Sequence, residues 1–173
     1  SPQDGEFKVD PGNDILKVSL VTWEGKIYTG FIRGMGIKTG AIATSYAWQA
    51  FGILVVAASE EDMVQAVNRV AELGGGIVLS ANGQVLVEFP LPVAGMISDL
   101  PIEEIVPKLD LIRGKAQELG FRFDDPLRTL GTLTTPAIPF LRISEAGLVN
   151  FRNGQIVSFY AEGDLRGHHI AGD

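Results

Sequence analysis

Acidic pairs are the first residues whose types could do chemistry: Asp99 with Glu103, Asp124 with Asp125, and Asp62 with its neighbours could share general-acid and general-base work, as paired carboxylates do in glycosidases. Each also has a plain structural use. Asp62 completes a helix cap begun by Ser59, Asp99 stands where a helix begins, and Asp124-Asp125-Pro126 is turn chemistry. Histidine occurs only at His168 and His169, whose rings fall on different faces of an extended chain and lack helical metal-pair spacing. With no histidine earlier in the chain, a serine-hydrolase triad is not expected. Gly34-Met35-Gly36-Ile37-Lys38-Thr39-Gly40 is glycine-rich like a phosphate loop, yet Ile37 separates Gly36 from Lys38, and Thr39 replaces the third glycine of the dinucleotide fingerprint. It reads as a turn between strands. Trp48-Gln49-Ala50-Phe51, at the end of a strand, reads as core packing or as rings that stack on a planar ligand. Trp48, Gln49 and Phe51 are the candidate ligand-binding residues; no catalytic residue and no metal ligand is assigned.

These residues need elements to position them. Apolar, β-branched runs at Ile15–Val21, Ile27–Ile32, Ala41–Tyr46 and Ile53–Ala57 predict strands separated by glycine-rich breaks. Met63, Val67 and Val70 recur at helical spacing after Ser59, and Gly74 follows as a stop, so a helix is expected over 60–73 with that stripe on the sheet. Ile77-Val78-Leu79 and Val85-Leu86-Val87 flank Asn82-Gly83, a dipeptide suited to a type I′ hairpin. A second helix is expected over 102–119, ended by Gly120, with Pro107 confined to its first turn so that it starts late. Residues 129–140 read as irregular apart from one turn at 127–133, and Asn153-Gly154 predicts a second hairpin between 148–151 and 156–159. The fold class expected is α+β: a mixed, mostly antiparallel sheet with two main helices packed on it.

The composition sets further bounds: the chain has 173 residues, 46% of them hydrophobic and 20% charged, as in an ordinary globular domain. Its net charge of −7 offers no basic stripe, so neither nucleic acid nor a membrane surface is an expected partner. No apolar run is long enough to span a bilayer. The absence of cysteine suits a cytoplasmic setting. The chain begins at Ser1, so a tag removed or a domain cut from something larger is expected. One domain over 8–160 is expected between a flexible segment at 1–7 and a loose tail at 161–173.

The order of words is also informative: Val9-Asp10-Pro11 with Asp14-Ile15-Leu16-Lys17, Gly30-Phe31-Ile32-Arg33-Gly34 with Gly40-Ala41-Ile42-Ala43, and Asn68-Arg69 near Gly74-Gly75-Gly76. Pro90-Leu91-Pro92-Val93-Ala94-Gly95-Met96-Ile97-Ser98-Asp99 is the most specific. Together they resemble the C-terminal domain of bacterial adenine deaminases, over about residues 8–150. The resemblance implies a place in a larger amidohydrolase that converts adenine and water to hypoxanthine and ammonia at an iron or manganese centre. That centre would lie in a barrel domain absent from this chain, which alone would not be catalytic. The family's polar His-Asp-Ser-His-Asn word is Trp48-Gln49-Ala50-Phe51-Gly52 here, and a loop with a His-His pair is Thr22-Trp23-Glu24-Gly25-Lys26. Two expectations follow: an accessory domain that packs on a barrel in cis or in trans, or a free-standing, non-enzymatic module for a purine-like ligand or self-association. Trp23, Trp48 and Phe51 suit a dry interface or a stacking pocket.

Overall fold

The structure, a computed structural model, describes residues 8–137 and 140–157. The segment 1–7, the tail 161–173 and His168 and His169 lie outside the described residues. Six strands build the main sheet: β1 (Leu16–Thr22), β2 (Ile27–Ile32), β3 (Ala41–Thr44), β4 (Gly52–Ala57), β5 (Gly76–Ala81) and β6 (Gln84–Pro90). Their order is β2-β1-β4-β3-β5-β6, and each neighbouring pair is antiparallel. The α+β class is therefore correct. Ala41–Tyr46 is shorter than expected, because β3 stops at Thr44, whose Oγ1 accepts from the Tyr46 N–H and turns the chain.

Strand alternation places Ile42, Leu54, Val56, Ile77 and Leu79 on one face, and Ala41, Ala43, Ile53, Val55, Ala57 and Val78 on the other. Both faces are buried, which is why the central strands read as continuous apolar runs. On the alanine-rich face lies α1 (Glu60–Glu72), with Met63, Ala66 and Val70 turned inward. Ser59 Oγ accepts from the Asp62 N–H at 3.2 Å and starts this helix. Gly74 and Gly75 end it, donating to the carbonyls of Ala71 and Val70.

The opposite face holds α2 (Ile102–Glu118), anchored through Ile112 and Ala116, and α3 (Pro126–Thr132), whose start is capped by Asp125 accepting from the Arg128 N–H. α2 ends as α1 does, with Gly120 and Phe121 donating to Gln117 and Ala116. Its start is not delayed: it begins at Ile102 and takes Pro107 inside, where the ring removes the N–H that would have reached the Glu103 carbonyl. Asp99 does not cap it, since Pro101 occupies that position and no side chain bonds there.

At the Asn82-Gly83 hairpin both residues have positive φ, 53° and 70°, as a type I′ turn requires. The second hairpin differs. Strands β7 (Leu141–Ser144), β8 (Gly147–Asn150) and β9 (Gln155–Ile156) form a small separate sheet, with β7 lying outside the expected elements. Between β8 and β9, the Asn150 carbonyl takes the N–H groups of Asn153 and Gly154, so a four-residue loop forms and only Gly154 is left-handed.

Candidate functional site

The strand registers bring the Trp23 turn, residues 45–51, Gly74-Gly75-Gly76 and residues 91–98 to one end of the main sheet. Ser45 joins the last three of these. Its buried Oγ accepts from the Gly76 N–H at 2.8 Å and donates to the Gly95 carbonyl at 2.6 Å. The Leu91 N–H donates to the Gly75 carbonyl, and a Cβ on Gly75 would meet Gly95 Cα at 2.4 Å. The triple glycine and the proline word are thus two halves of one close contact. Ala94 and Gly95, both with positive φ, turn the second half back on itself between Val93 and Ile97.

The candidates Trp48, Gln49 and Phe51 sit beside this contact. Core packing does not describe the aromatic pair: Trp48 is 51% exposed and Phe51 83% exposed. The Trp48 ring meets the Tyr46 ring edge-on at 6.3 Å between centroids, and the Phe51 N–H donates to Glu145 Oε1 at 2.9 Å. Gly52 follows without a side chain because a Cβ there would lie 2.3 Å from the Val21 carbonyl oxygen. Trp23, Trp48, Gln49, Phe51, Ala94 and Met96 wall a notch of about 210 Å³. Trp48 and Met96 also border a larger cavity of about 510 Å³, which runs under Ile105 and Leu109 of α2 and over Phe89 and Leu91, with Arg113, Asp125 and Arg128 at α2 and α3. Met96, Ile97 and Tyr46 were not legible as partners of Trp48, since only the fold brings these segments together.

The other candidates have structural partners. Gly34 and Gly36 do form an anion cradle, but the anion is the chain's own: Asp14 accepts from their N–H groups at 2.9 and 2.8 Å. Burial works to raise the pKa of Asp14, yet the Gly36 and Gly34 N–H groups, with Arg122 and Lys38 nearby, outweigh it and hold the carboxyl below its ordinary value. Asp62 is buried, with its carboxylate accepting from the Ser59 hydroxyl and the Gly83 N–H. Asp125 is a cap. Among the described residues, no group of three or more His, Cys, Asp and Glu side chains is placed to hold a metal ion. No helix among them is long and apolar enough to cross a membrane.

With the site described, comparison gives it a family. The model of the adenine deaminase C-terminal domain matches residues 1–155. This chain belongs to the adenine deaminase C-terminal domain family. An adenine deaminase of Desulfatibacillum aliphaticivorans is 41% identical over 161 residues, covering 91% of this chain and 28% of that protein. One from Kosmotoga olearia is 39% identical with the same coverage, and one from Brucella anthropi is 41% identical over 79% of this chain and 25% of its own length. The chain therefore spans little more than a quarter of the curated relatives it matches.

Proposed function

We propose that this chain is an accessory C-terminal domain of an adenine-deaminase-type hydrolase, acting in the cytoplasm, and that it does not turn over adenine by itself. The observation that supports this reading is the match over residues 1–155 to a domain that makes up only 28% of its relatives. In this reading the iron or manganese belongs to a barrel supplied in cis or in trans. Trp48, Gln49 and Phe51 serve contact with what lies beyond this domain rather than catalysis.

The test pairs two measurements. The native gene product, detected in its source cell with an antibody against this domain, should run well above 18.6 kDa. The chain alone, given adenine with iron or manganese, should release no ammonia above buffer, whereas the native product should. Metal-dependent release by the chain alone would overturn the reading.

A second reading has one observation in its favour. The cavity of about 510 Å³ beside Trp48 and Tyr46 falls in the size range of small-molecule sites, and its walls are mainly apolar. A free-standing module for a purine-like ligand would show quenching of Trp48 fluorescence by adenine, lost in Trp48→Phe. Unchanged fluorescence at millimolar adenine excludes it.

A further inference from the structure

The two ends of the main sheet differ in kind. At the Asp14 end, the loops are occupied by the Gly34 and Gly36 cradle, the Ser59 cap and the Asn82-Gly83 turn. The Ser45 end instead presents Trp23, Ile27, Trp48, Phe51, Val93 and Ile97, each between 48% and 83% exposed. Scattered apolar residues are normal on a protein surface, but a contiguous group marks an interaction face. Trp23, Trp48, Phe51 and Met96 are contiguous, because they wall the same notch.

We propose that this aromatic end is the face on which the domain docks against the remainder of its own deaminase polypeptide, and that the notch receives an apolar side chain from it. The inference rests on the accessory-domain reading and adds the surface and the mode of contact. The notch volume, about 210 Å³, is below the range of small-molecule sites, yet larger than the cavity of roughly 150 Å³ that holds a benzene ring. It suits one anchoring side chain. Tryptophan is among the residue types that dominate binding energy when a partner excludes water from them.

The length of the relatives supplies the occupant. Since 161 matched residues are 28% of the Desulfatibacillum aliphaticivorans protein, about 400 residues lie outside the match. A body that covers the aromatic end from the opposite end of β1 must reach past a seven-residue strand, about 24 Å. A compact body of about 400 residues has a radius of gyration of about 21 Å and is wide enough to do so. Ser45 and the Gly75–Gly95 contact keep the face rigid before docking, which lowers the ordering cost of association.

The experiment compares the 173-residue chain with the intact gene product that carries it. Hydroxyl-radical labelling reads side-chain access, with Phe123 and Phe140, both exposed elsewhere, as internal references. In the intact product, labelling of Trp23, Trp48 and Phe51 should be about fivefold or more below that in the chain alone, while that of Phe123 and Phe140 stays unchanged. Phe51→Ser, at the most exposed of these positions, should restore labelling of Trp23 and Trp48 in the intact product and leave the melting temperature of the chain alone unchanged. An intact product that releases ammonia without protecting these three residues overturns the docking face but leaves the accessory-domain reading standing. A native product no heavier than 18.6 kDa overturns both. Protection of the three residues by raising the concentration of the chain alone, or by adenine alone, overturns the inference in favour of a second copy or a small ligand.

Discussion

Ser45 Oγ donates to the Gly95 carbonyl at 2.6 Å across fifty residues of sequence, and the same oxygen accepts from the Gly76 N–H. One hydroxyl thus joins the end of β3, the start of β5 and the turn of the proline word. Ser45→Ala leaves a buried N–H and a buried carbonyl without their side-chain partner, at a cost of about 1–3 kcal/mol. Urea unfolding should show this loss with an unchanged m-value. An unaltered midpoint would mean that the strands hold these loops without the hydroxyl.

Gly74 and Gly75 are neighbours with different reasons to be glycine. Gly74 has φ of 69° and open space where a Cβ would stand, so Gly74→Ala should cost about 1–2 kcal/mol from its left-handed backbone. Gly75 has φ of 127°, and its Cβ would press on the Gly95 backbone. Gly75→Ala should therefore cost about 3–5 kcal/mol, adding overpacking to strain. Thermal unfolding of the two variants side by side checks the order, and equal losses would remove the close-contact argument.

Acid should destabilise this domain through identifiable groups. Asp14 and Glu88 are both held below their ordinary values of 3.8 and 4.5, Asp14 by the glycine N–H groups against its burial, and Glu88 by the Arg69 guanidinium that grips both its oxygens. A folded pKa below the unfolded one means that the stabilisation is present above the unfolded value and is lost as pH falls through the folded one. Stability contributed by this pair should be level above about pH 5 and decline below pH 4. In Asp14→Asn the decline should be shallower. A wild-type midpoint that rises on acidification would reverse the assigned sign.

Pro107 interrupts α2 six residues in, leaving the Glu103 carbonyl without its helical donor. Pro107→Ala restores that N–H and removes a ring clash, so it should stabilise the domain by about 1–3 kcal/mol, read as a melting point higher by about 2–4 °C per kcal/mol. A lowered melting point would show that the proline is required by the packing of Ile105 and Leu109 over the cavity below.

The elements legible in the sequence are those whose signals are local. Ser59 and Gly74 bracket α1 within one stretch, and Asn82-Gly83 defines its hairpin unaided. Pairing between distant strands, such as β1 with β4 or β3 with β5, leaves no local mark. Asp14 was hidden for a similar reason, since its carboxylate reaches Gly34 and Gly36 only from a left-handed backbone at φ of 58°. Trp48, Gln49 and Phe51 stood out by type, and the structure brings them together at one notch. Met96 and Ile97 did not, because an isolated aliphatic word carries no sign of which aromatic it will meet.

The strand order also fixes a sequence of events in time. The β1–β2 hairpin is the first part of the sheet to be synthesised, yet β1 pairs on its other side only with β4, and β4 alone joins it to β3. A lone two-stranded hairpin is marginal in water, so the N-terminal strands have no lasting partner until Gly52–Ala57 has been made. Assembly of the sheet therefore waits on that strand, and the domain should fold at a pace set by its distant contacts rather than at the speed of its helices.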